Sequence, residues 1–584
     1  MLDDILLQVK KPGRYIGGEW NAVKKDFNPE QIKFALCFPD LYEIGMNNLG
    51  LRILYGILNN IQDACCERFF SPDLDLERFL RNRHIEIFSL ESKKRLKEFD
   101  IIGFSLGYEL GCTNVLNILD LGGIPLKSSL RDSSHPLVIG GGPCVLNPEP
   151  LHEFFDLFVI GEAEDAIIEI VDIYRKSKKQ FKAGKIDKQD LLIMFSGVQG
   201  LYAPSLYEAI YNNEGKIEEL RPKVKGIPTK IKKRFVKDLD SAYFPLDWVI
   251  PYIQIVHDRI SIEVMRGCPN RCRFCQSRLQ YFPFRQRGVK NIINMAADVY
   301  KRTGYEEISL GGLSVSDYRD VEELLRQLVG LFKEKGISIS LPSIKPKTTV
   351  GNLSALIATI KKTGFTFAPE AATERLRRIL AKDFNLEDFF RAIEQAYLCG
   401  WERIKLYFMI GLPTEEEKDL DAIIGFANQV SELRKKINQR PAQVNISINT
   451  LIPKPHTPFQ WLKMQDLESV RYKQGYLKRK IRNNKLKLSL HNPDMGFLEG
   501  VLSRGDRRLS EVILRAFSKG AKFDAWDNYF MLDKWLDAFK ESGINPNFYL
   551  REKSKDEVLP WDFLDMGISK EELIREANLA IALE

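Results

Sequence analysis

The chain has 584 residues, of which 44% are hydrophobic and 28% charged, with a formal net charge of +7. That length is too great for one ordinary core and predicts two to four domains. No run of about 18 apolar residues occurs, which argues against a membrane span. The N-terminus, MLDDILLQVKKPGRY, places acids ahead of a short apolar stretch, unlike a signal peptide, so a cytoplasmic location is expected.

In chain order, residues 33–175 read as alternating strands and helices. KFALCFPD (33–40) leads into a helical pattern over 46–60. DIIGFSLG (100–107) precedes a helix near 111–121, and PLVIGGG (136–142) and DLFVIG (156–161) precede a helix over 163–175. Apolar strands separated by helices predict a parallel sheet covered on both faces. Ligands of such sheets bind beyond the carboxyl ends of the strands, where Gly107, Gly140, Gly141, Gly142 and Gly161 would let a backbone approach a ligand closely. Residues 176–255 lose this rhythm and read as a connector with short β pieces such as LYEAIYNN. Residues 256–460 resume it, with strands at 260–265, 307–312, 338–343, 365–370, 404–411 and 444–452. Six βα units predict a partial (β/α)6 TIM-type barrel with its chemistry at the carboxyl ends of the strands. Residues 461–584 are helix-rich. The stretches 223–237 and 478–487 are the most basic. Such runs can contact phosphate, although a solvated face or linker is the commoner role.

Directly after the first barrel strand stands RGCPNRCRFCQ, with Cys268, Cys272 and Cys275 spaced Cys-x3-Cys-x2-Cys. A structural zinc site takes four protein ligands. Here there are three, and the nearest upstream histidine, His257, lies beyond a predicted strand. Three thiolates can hold three irons of a 4Fe–4S cluster and leave the fourth iron open. Pro269 and Asn270 favour the turn that lets the sulfurs converge. Arg266, Arg271 and Arg273 are expected to place positive charge around the anionic ligands. Nine cysteines, an odd number in a large chain, suit a metal site better than a disulfide framework.

This spacing, with the aromatic Phe274 before the last cysteine, resembles the signature of the radical S-adenosylmethionine (SAM) superfamily. The resemblance implies that SAM chelates the open iron, is cleaved reductively to a 5′-deoxyadenosyl radical, and that an electron donor of flavodoxin or ferredoxin type serves the cluster. It assigns Gly311 and Gly312 to the methionyl amino group, with Leu313 and Ser314 where an acid usually follows. Glu370 is assigned to the SAM ribose, Arg375 or Lys345 to its carboxylate, and Gly411 and Pro413, in MIGLPTEE, to adenine.

The N-terminal residues 1–175 resemble a Rossmann-like cobalamin-binding domain through GGGPCVLNPEP and DLFVIGEAED. The usual Asp-x-His-x-x-Gly appears as Asp40, Tyr42 and Gly45, so an imidazole ligand to cobalt is missing. Two readings stay open, a domain that binds cobalamin and one that kept the fold and lost the cofactor. Nearly the whole chain resembles an uncharacterised family of cobalamin-domain radical SAM proteins, often encoded beside a small accessory domain.

The leading expectation is therefore a radical SAM enzyme, with cobalamin-dependent methyl transfer to an unknown substrate as its elaboration. The alternatives are a methylthiotransferase-like enzyme acting on RNA or ribosomal protein, with Cys37, Cys112 and Cys144 as candidate second-cluster ligands, and an RNA- or ribosome-associated protein with a structural cluster. Cys37 is expected in the core and Cys65–Cys66 as an incidental pair. His456 and Trp461 are placed at the substrate mouth or the barrel floor. Arg504, Asp506, Arg507 and Arg508 read as a phosphate site or an ion-paired helix start.

Overall fold

The computed structural model describes residues 2–340, 365–382 and 384–582. Lys345 and the end of the strand expected at 338–343 lie outside the described residues.

The N-terminal sheet contains β1 (Ile32–Phe38), β2 (Ala64–Phe70), β3 (Ile101–Ser105), β4 (Leu137–Gly141), β5 (Leu157–Val159) and β6 (Leu201–Tyr202). Its order is β2-β1-β3-β4-β5-β6. β1 to β5 run parallel and β6 closes the edge antiparallel to β5. Helices Leu49–Asn60, Cys112–Leu121 and Glu164–Lys182 occupy the expected positions, the last extending past residue 175. β6 likewise carries the sheet beyond 175, into the expected connector. β2 was not anticipated, because Glu67 and Arg68 interrupt its apolar run. Both are buried, and Arg68 is held by Glu19 at 2.8 Å and Glu91 at 2.6 Å. Cys65 and Cys66, adjacent in this strand, therefore point to opposite faces and are free thiols.

After the sheet come a hairpin, β7 (Tyr207–Tyr211) with β8 (Ile217–Pro222), and the short β9 (Ile231–Lys232). The barrel-type strands form two parallel arrays among the described residues. The first is β10 (Ile260–Glu263), β13 (Glu307–Gly311) and β14 (Ser338–Ser340). The second is β15 (Phe365–Glu370), β16 (Arg403–Ile410), β17 (Gln443–Thr450) and β18 (Leu486–Leu490). β18 corrects one expectation. The parallel array continues past residue 460, and the basic stretch 478–487, expected as a solvated face or linker, ends inside a paired strand with its lysines and arginines exposed. Between β10 and β13 lies a two-stranded ribbon of β11 (Met265–Arg266) and β12 (Arg285–Gln286).

Beyond β18 the regular elements of the described C-terminal residues are helices and β19 (Leu564–Asp565), which pairs with β9. This region folds back over the N-terminal sheet: helices Leu509–Ser518 and Leu532–Glu541 share one apolar core with β1 and β3. Asp524 accepts from Thr113 Oγ1 at 2.7 Å and Trp535 Nε1 at 3.1 Å, sealing that contact. No described helix is long and apolar enough to cross a membrane.

The Asp40, Tyr42 and Gly45 frame serves packing. Tyr42 is buried and its hydroxyl donates to Glu19 at 2.9 Å, while Asp40 accepts from Trp526 Nε1 at 3.0 Å. A Cβ on Gly45 would stand 2.2 Å from the Phe70 ring. Gly45→Ala is therefore expected to destabilise the fold by about 1–3 kcal/mol through overpacking, read as a lower urea midpoint.

Candidate functional site

The cysteine loop leaves β11 through Gly267, whose φ of +79° belongs to glycine. A Cβ there would lie 2.8 Å from the Tyr281 carbonyl oxygen and 2.9 Å from Phe284 Cα. The chain can thus turn into the loop only where no side chain is present. Beyond it Cys272 is buried, and Cys268 and Cys275 are half-buried. The Cys275 amide donates to the Cys272 carbonyl at 3.2 Å. Asn270 Nδ2 bonds Cys268 Sγ at 3.3 Å and Asp317 Oδ2 at 2.7 Å. Burial raises the Cys275 thiol above its ordinary value, with the neighbouring Cys268 adding to the rise and Lys382 opposing it. The described residues contain no group of three ligands arranged around a single metal ion.

The arginines of the loop do other work than expected. Arg273 donates to the Arg378 and Ile379 carbonyls at 2.9 Å each and pairs with Glu576 at 3.2 Å. It thereby pins the loop to helices Glu374–Ile379 and Lys570–Ile581. Arg266 is buried among Glu162 (2.9 Å), Glu164 (2.5 Å) and Glu263 (2.9 Å). Their positive charge is neutralised or capped before it reaches the sulfurs, and Arg271 is exposed. Phe274 packs against an apolar cluster that includes Leu376, Ile379, Met409 and Phe459.

Strand ends surround the loop. The Gly311 carbonyl already accepts from Val264 at 2.9 Å, and Gly312 lets Met265 approach, since a Cβ would stand 2.6 Å from Met265 Cγ. Glu370 ends β15 beyond a bulge, with a φ of +67° that is strained for a side-chain-bearing residue. Burial pushes its carboxyl up to about 7, with Lys382 pulling the other way. Gly411, at φ +78°, donates to Glu415 at 2.8 Å and opens the turn that holds Pro413. Arg375 is turned aside: it pairs with Asp419 at 2.6 Å and donates to the Thr414 carbonyl at 2.9 Å.

Two residues that sequence reasoning missed belong here. Lys382 acts electrostatically on both Cys275 and Glu370, although it stands in a loop with no motif. Asp317 joins Ser314 Oγ (2.7 Å) to Asn270 and so brings a carboxylate to the loop where Leu313 and Ser314 had replaced one.

A cavity of about 430 Å³ opens beside this region. It is lined by Gly107, Gly140, Gly141, Gly142 and Gly161 from the N-terminal sheet, and by Glu263, Arg266 and Tyr281 from the cysteine-loop side. A Cβ on Gly107 would meet no atom, so that backbone fronts open space. Gly142 and Gly161 have φ of +113° and +103°, whereas Gly140 makes room for Phe155 and Leu106. Asp40, Tyr42 and Gly45 are not among the lining residues.

The remaining candidates are structural. Cys37 is buried in β1. Cys112 and Cys144 lie close enough to influence one another's charge. His456 bonds the Leu146 carbonyl at 2.9 Å, and burial lowers its imidazole to about 4. Trp461 is buried within the C-terminal packing. Arg504 caps four backbone carbonyls, Arg507 pairs with Glu149, and Arg508 pairs with Asp506. Within 223–237, Lys233 donates to the carbonyls of Leu279, Gln280 and Phe282 and Arg234 pairs with Glu169, so part of that basic run also serves packing.

Gly267→Ala is expected to cost about 1–3 kcal/mol and to prevent metal loading of the loop. Urea unfolding and iron content after anaerobic reconstitution measure the two effects.

Comparison with known proteins agrees with this geometry. Residues 50–204 match the family described as radical SAM proteins, N-terminal, and residues 262–427 match the radical SAM superfamily. An uncharacterized protein of Methanocaldococcus jannaschii is 27% identical over 88% of this chain and 98% of its own length. An uncharacterized methyltransferase of Pyrococcus horikoshii is 23% identical over 52% of this chain and 60% of its own. Among solved structures, the radical SAM methyltransferase TsrM from Kitasatospora setae, with cobalamin and a [4Fe-4S] cluster bound, aligns with a TM-score of 0.48 and 13% identity, over 72% of this chain and 75% of that one. The cobalamin-dependent enzyme OxsB aligns with a TM-score of 0.48 and 12% identity, over 94% of this chain and 79% of that one. With the superfamily match enclosing the three-cysteine loop and the strand ends around it, the chain belongs to the radical SAM superfamily.

Proposed function

We propose that this radical SAM enzyme transfers a methyl group to a substrate at the junction of its two α/β units, using cobalamin held through the glycine-lined cavity. The observation that carries the proposal is the shared wall. Gly107, Gly142 and Gly161 from one sheet and Glu263, Arg266 and Tyr281 beside the cysteine loop line the same 430 Å³ space. Two cofactors that exchange a methyl group must lie side by side, and this cavity is contiguous with the residues that lead into the cysteine loop. Its volume of about 430 Å³ would suit a nucleotide-sized tail. The Pyrococcus relative described as a methyltransferase supports the same reading.

The donor set fits the cluster: three cysteines on one anchored loop, two of them half-buried. Bound there, a cluster would supply the electron for reductive SAM cleavage, and cobalamin would supply a methyl carrier. The chain's own residues bind and orient. Cys268, Cys272 and Cys275 would hold three irons. Lys382, within electrostatic reach of Cys275, replaces Arg375 as the cation for the SAM carboxylate. Glu370 accepts from the ribose hydroxyls, Gly311 and Gly312 admit the methionyl end, and Gly411 and Pro413 flank adenine. Phe274 shields the loop from water. An external reductant of flavodoxin or ferredoxin type completes the system.

The methylthiotransferase reading has its own observation, the proximity of Cys112 and Cys144, and short matches to tRNA-modifying enzymes such as one from Chlorobaculum tepidum, 31% identical over 16% of this chain. Against it, Cys37 is enclosed in the core. Iron content separates the two: about four irons per chain for one cluster, about eight for two.

Replacing Cys268, Cys272 and Cys275 by Ala is expected to abolish 5′-deoxyadenosine formation in reduced, reconstituted protein; turnover surviving the triple replacement overturns the assignment. With the Glu370 carboxyl raised to about 7, its ionised, accepting form grows as pH rises through neutrality. SAM affinity is therefore expected to increase from pH 6 to pH 8, and Glu370→Gln to flatten that profile in equilibrium dialysis.

A further inference from the structure

A methyl acceptor has to be reachable from both cofactor sites, and a charged cluster used by neither lies between them. Lys454, just past the end of β17, donates to Glu109 Oε1 at 2.7 Å and pairs with Glu499 Oε1 at 2.7 Å. The Tyr108 hydroxyl donates to Glu499 Oε2 at 2.6 Å. Tyr108 and Glu109 follow β3, directly after the cavity-lining Gly107, and Glu499 comes from helix Pro493–Arg504. Cys144, next to the cavity-lining Pro143, stands within electrostatic reach of Glu109, Lys454 and Glu499. On the other side, Gln276, the neighbour of Cys275, donates to the Pro455 carbonyl at 3.3 Å, beside Lys454. The cluster is thus joined to the cavity through β3 and to the cysteine loop through the segment after β17.

The charges of this cluster do not balance. Two carboxylates stand against one ammonium, and the phenol adds no cation. Burial lowers the Lys454 ammonium, but Glu109 and Glu499 outweigh it and lift it above its ordinary value. Burial and Glu499 likewise raise the Tyr108 hydroxyl. Both oxygens of Glu499 are taken, whereas Glu109 uses only Oε1, and no described residue donates to its Oε2. That oxygen is not enclosed: the Glu109 side chain keeps 13% exposure. It stands two residues from Gly107, where an added Cβ would meet no atom. Surplus negative charge and an open carboxylate oxygen favour a cationic donor, whose hydrogen bond is roughly twice as strong as a neutral one, and disfavour an anion. We infer that Glu109 anchors the methyl acceptor through a protonated nitrogen, an ammonium or a guanidinium group. Glu109 is thus a substrate-binding residue, and Lys454, Glu499 and Tyr108 are positioning residues that fix its carboxylate. The inference rests on the proposed methyl transfer and names the chemical class of its substrate.

The test uses full-length protein carrying about four irons per chain, with hydroxocobalamin, titanium(III) citrate and SAM bearing a radiolabelled methyl group. The probe is a small-molecule extract of the cells that encode the protein, split beforehand by ion exchange at neutral pH into cationic, neutral and anionic pools. Each pool is assayed for a new labelled product. Label is expected from the cationic pool alone. Label from the neutral or the anionic pool overturns the role of Glu109 and leaves methyl transfer standing. Label from no pool overturns the methyl-transfer reading and this inference with it, while 5′-deoxyadenosine formation still reports on the cluster. With the labelled acceptor purified, Glu109→Gln is expected to raise its KM about tenfold, a larger change than in kcat, and Glu109→Asp to recover part of the loss. Glu109→Gln keeps the shape of the side chain and an oxygen for Lys454, so a KM equal to that of the wild type overturns the anchor. A fall in kcat and iron content at constant KM marks a contact that only holds the two units together, and overturns it as well.

Discussion

A buried guanidinium must find its counter-charges inside the protein, because desolvation without them costs several kcal/mol. Arg266, only 6% exposed, finds three carboxylates from two chain segments. Two of them, Glu162 and Glu164, follow β5 of the N-terminal sheet, and the third, Glu263, ends β10. The docking of the two α/β units, the shape of the cavity between them and the take-off of the cysteine loop all follow from that requirement. Gly267 completes it, since the backbone just after Arg266 must turn through a conformation that side chains resist.

Around this joint the structure separates neutralising charge from reactive groups. Arg273 is absorbed by helix-end carbonyls and Glu576, leaving the thiols near Lys382 and the Asn270–Asp317 pair. A strained Glu370 and a left-handed Gly411 stand at neighbouring strand ends, where parallel α/β architectures hold their ligands. The chemistry is thus concentrated at the carboxyl ends of strands, while burial and ion pairs elsewhere keep those ends in register.

Much of this was legible in the sequence because its signals are local. The cysteine spacing lies within eight residues, and the strands of the N-terminal sheet end in visible glycines. What stayed hidden depends on three-dimensional partners. β2 was obscured by Glu67 and Arg68, whose burial makes sense only with Ser92, Glu19 and Glu91 in place. β18 was hidden in a lysine-rich stretch whose pairing strand lies over thirty residues upstream. Tyr42 fitted a spacing, but spacing does not say which way a side chain points, and its hydroxyl turns to Glu19. Lys382 and Asp317 carry no motif, and only the fold brings them to the loop.

The return of helices Leu509–Ser518 and Leu532–Glu541 onto the N-terminal sheet imposes an order on biogenesis. During translation the first sheet emerges hundreds of residues before the segments that cover it, so its flank stays apolar and wet until residues 509–541 have followed. Maturation of the metal site, which leans on Glu576 through Arg273, must wait for the same late residues. A ribosome that stalls after the barrel has emerged would leave a nascent chain needing a chaperone's cover, with its thiols present and their anchor still unmade.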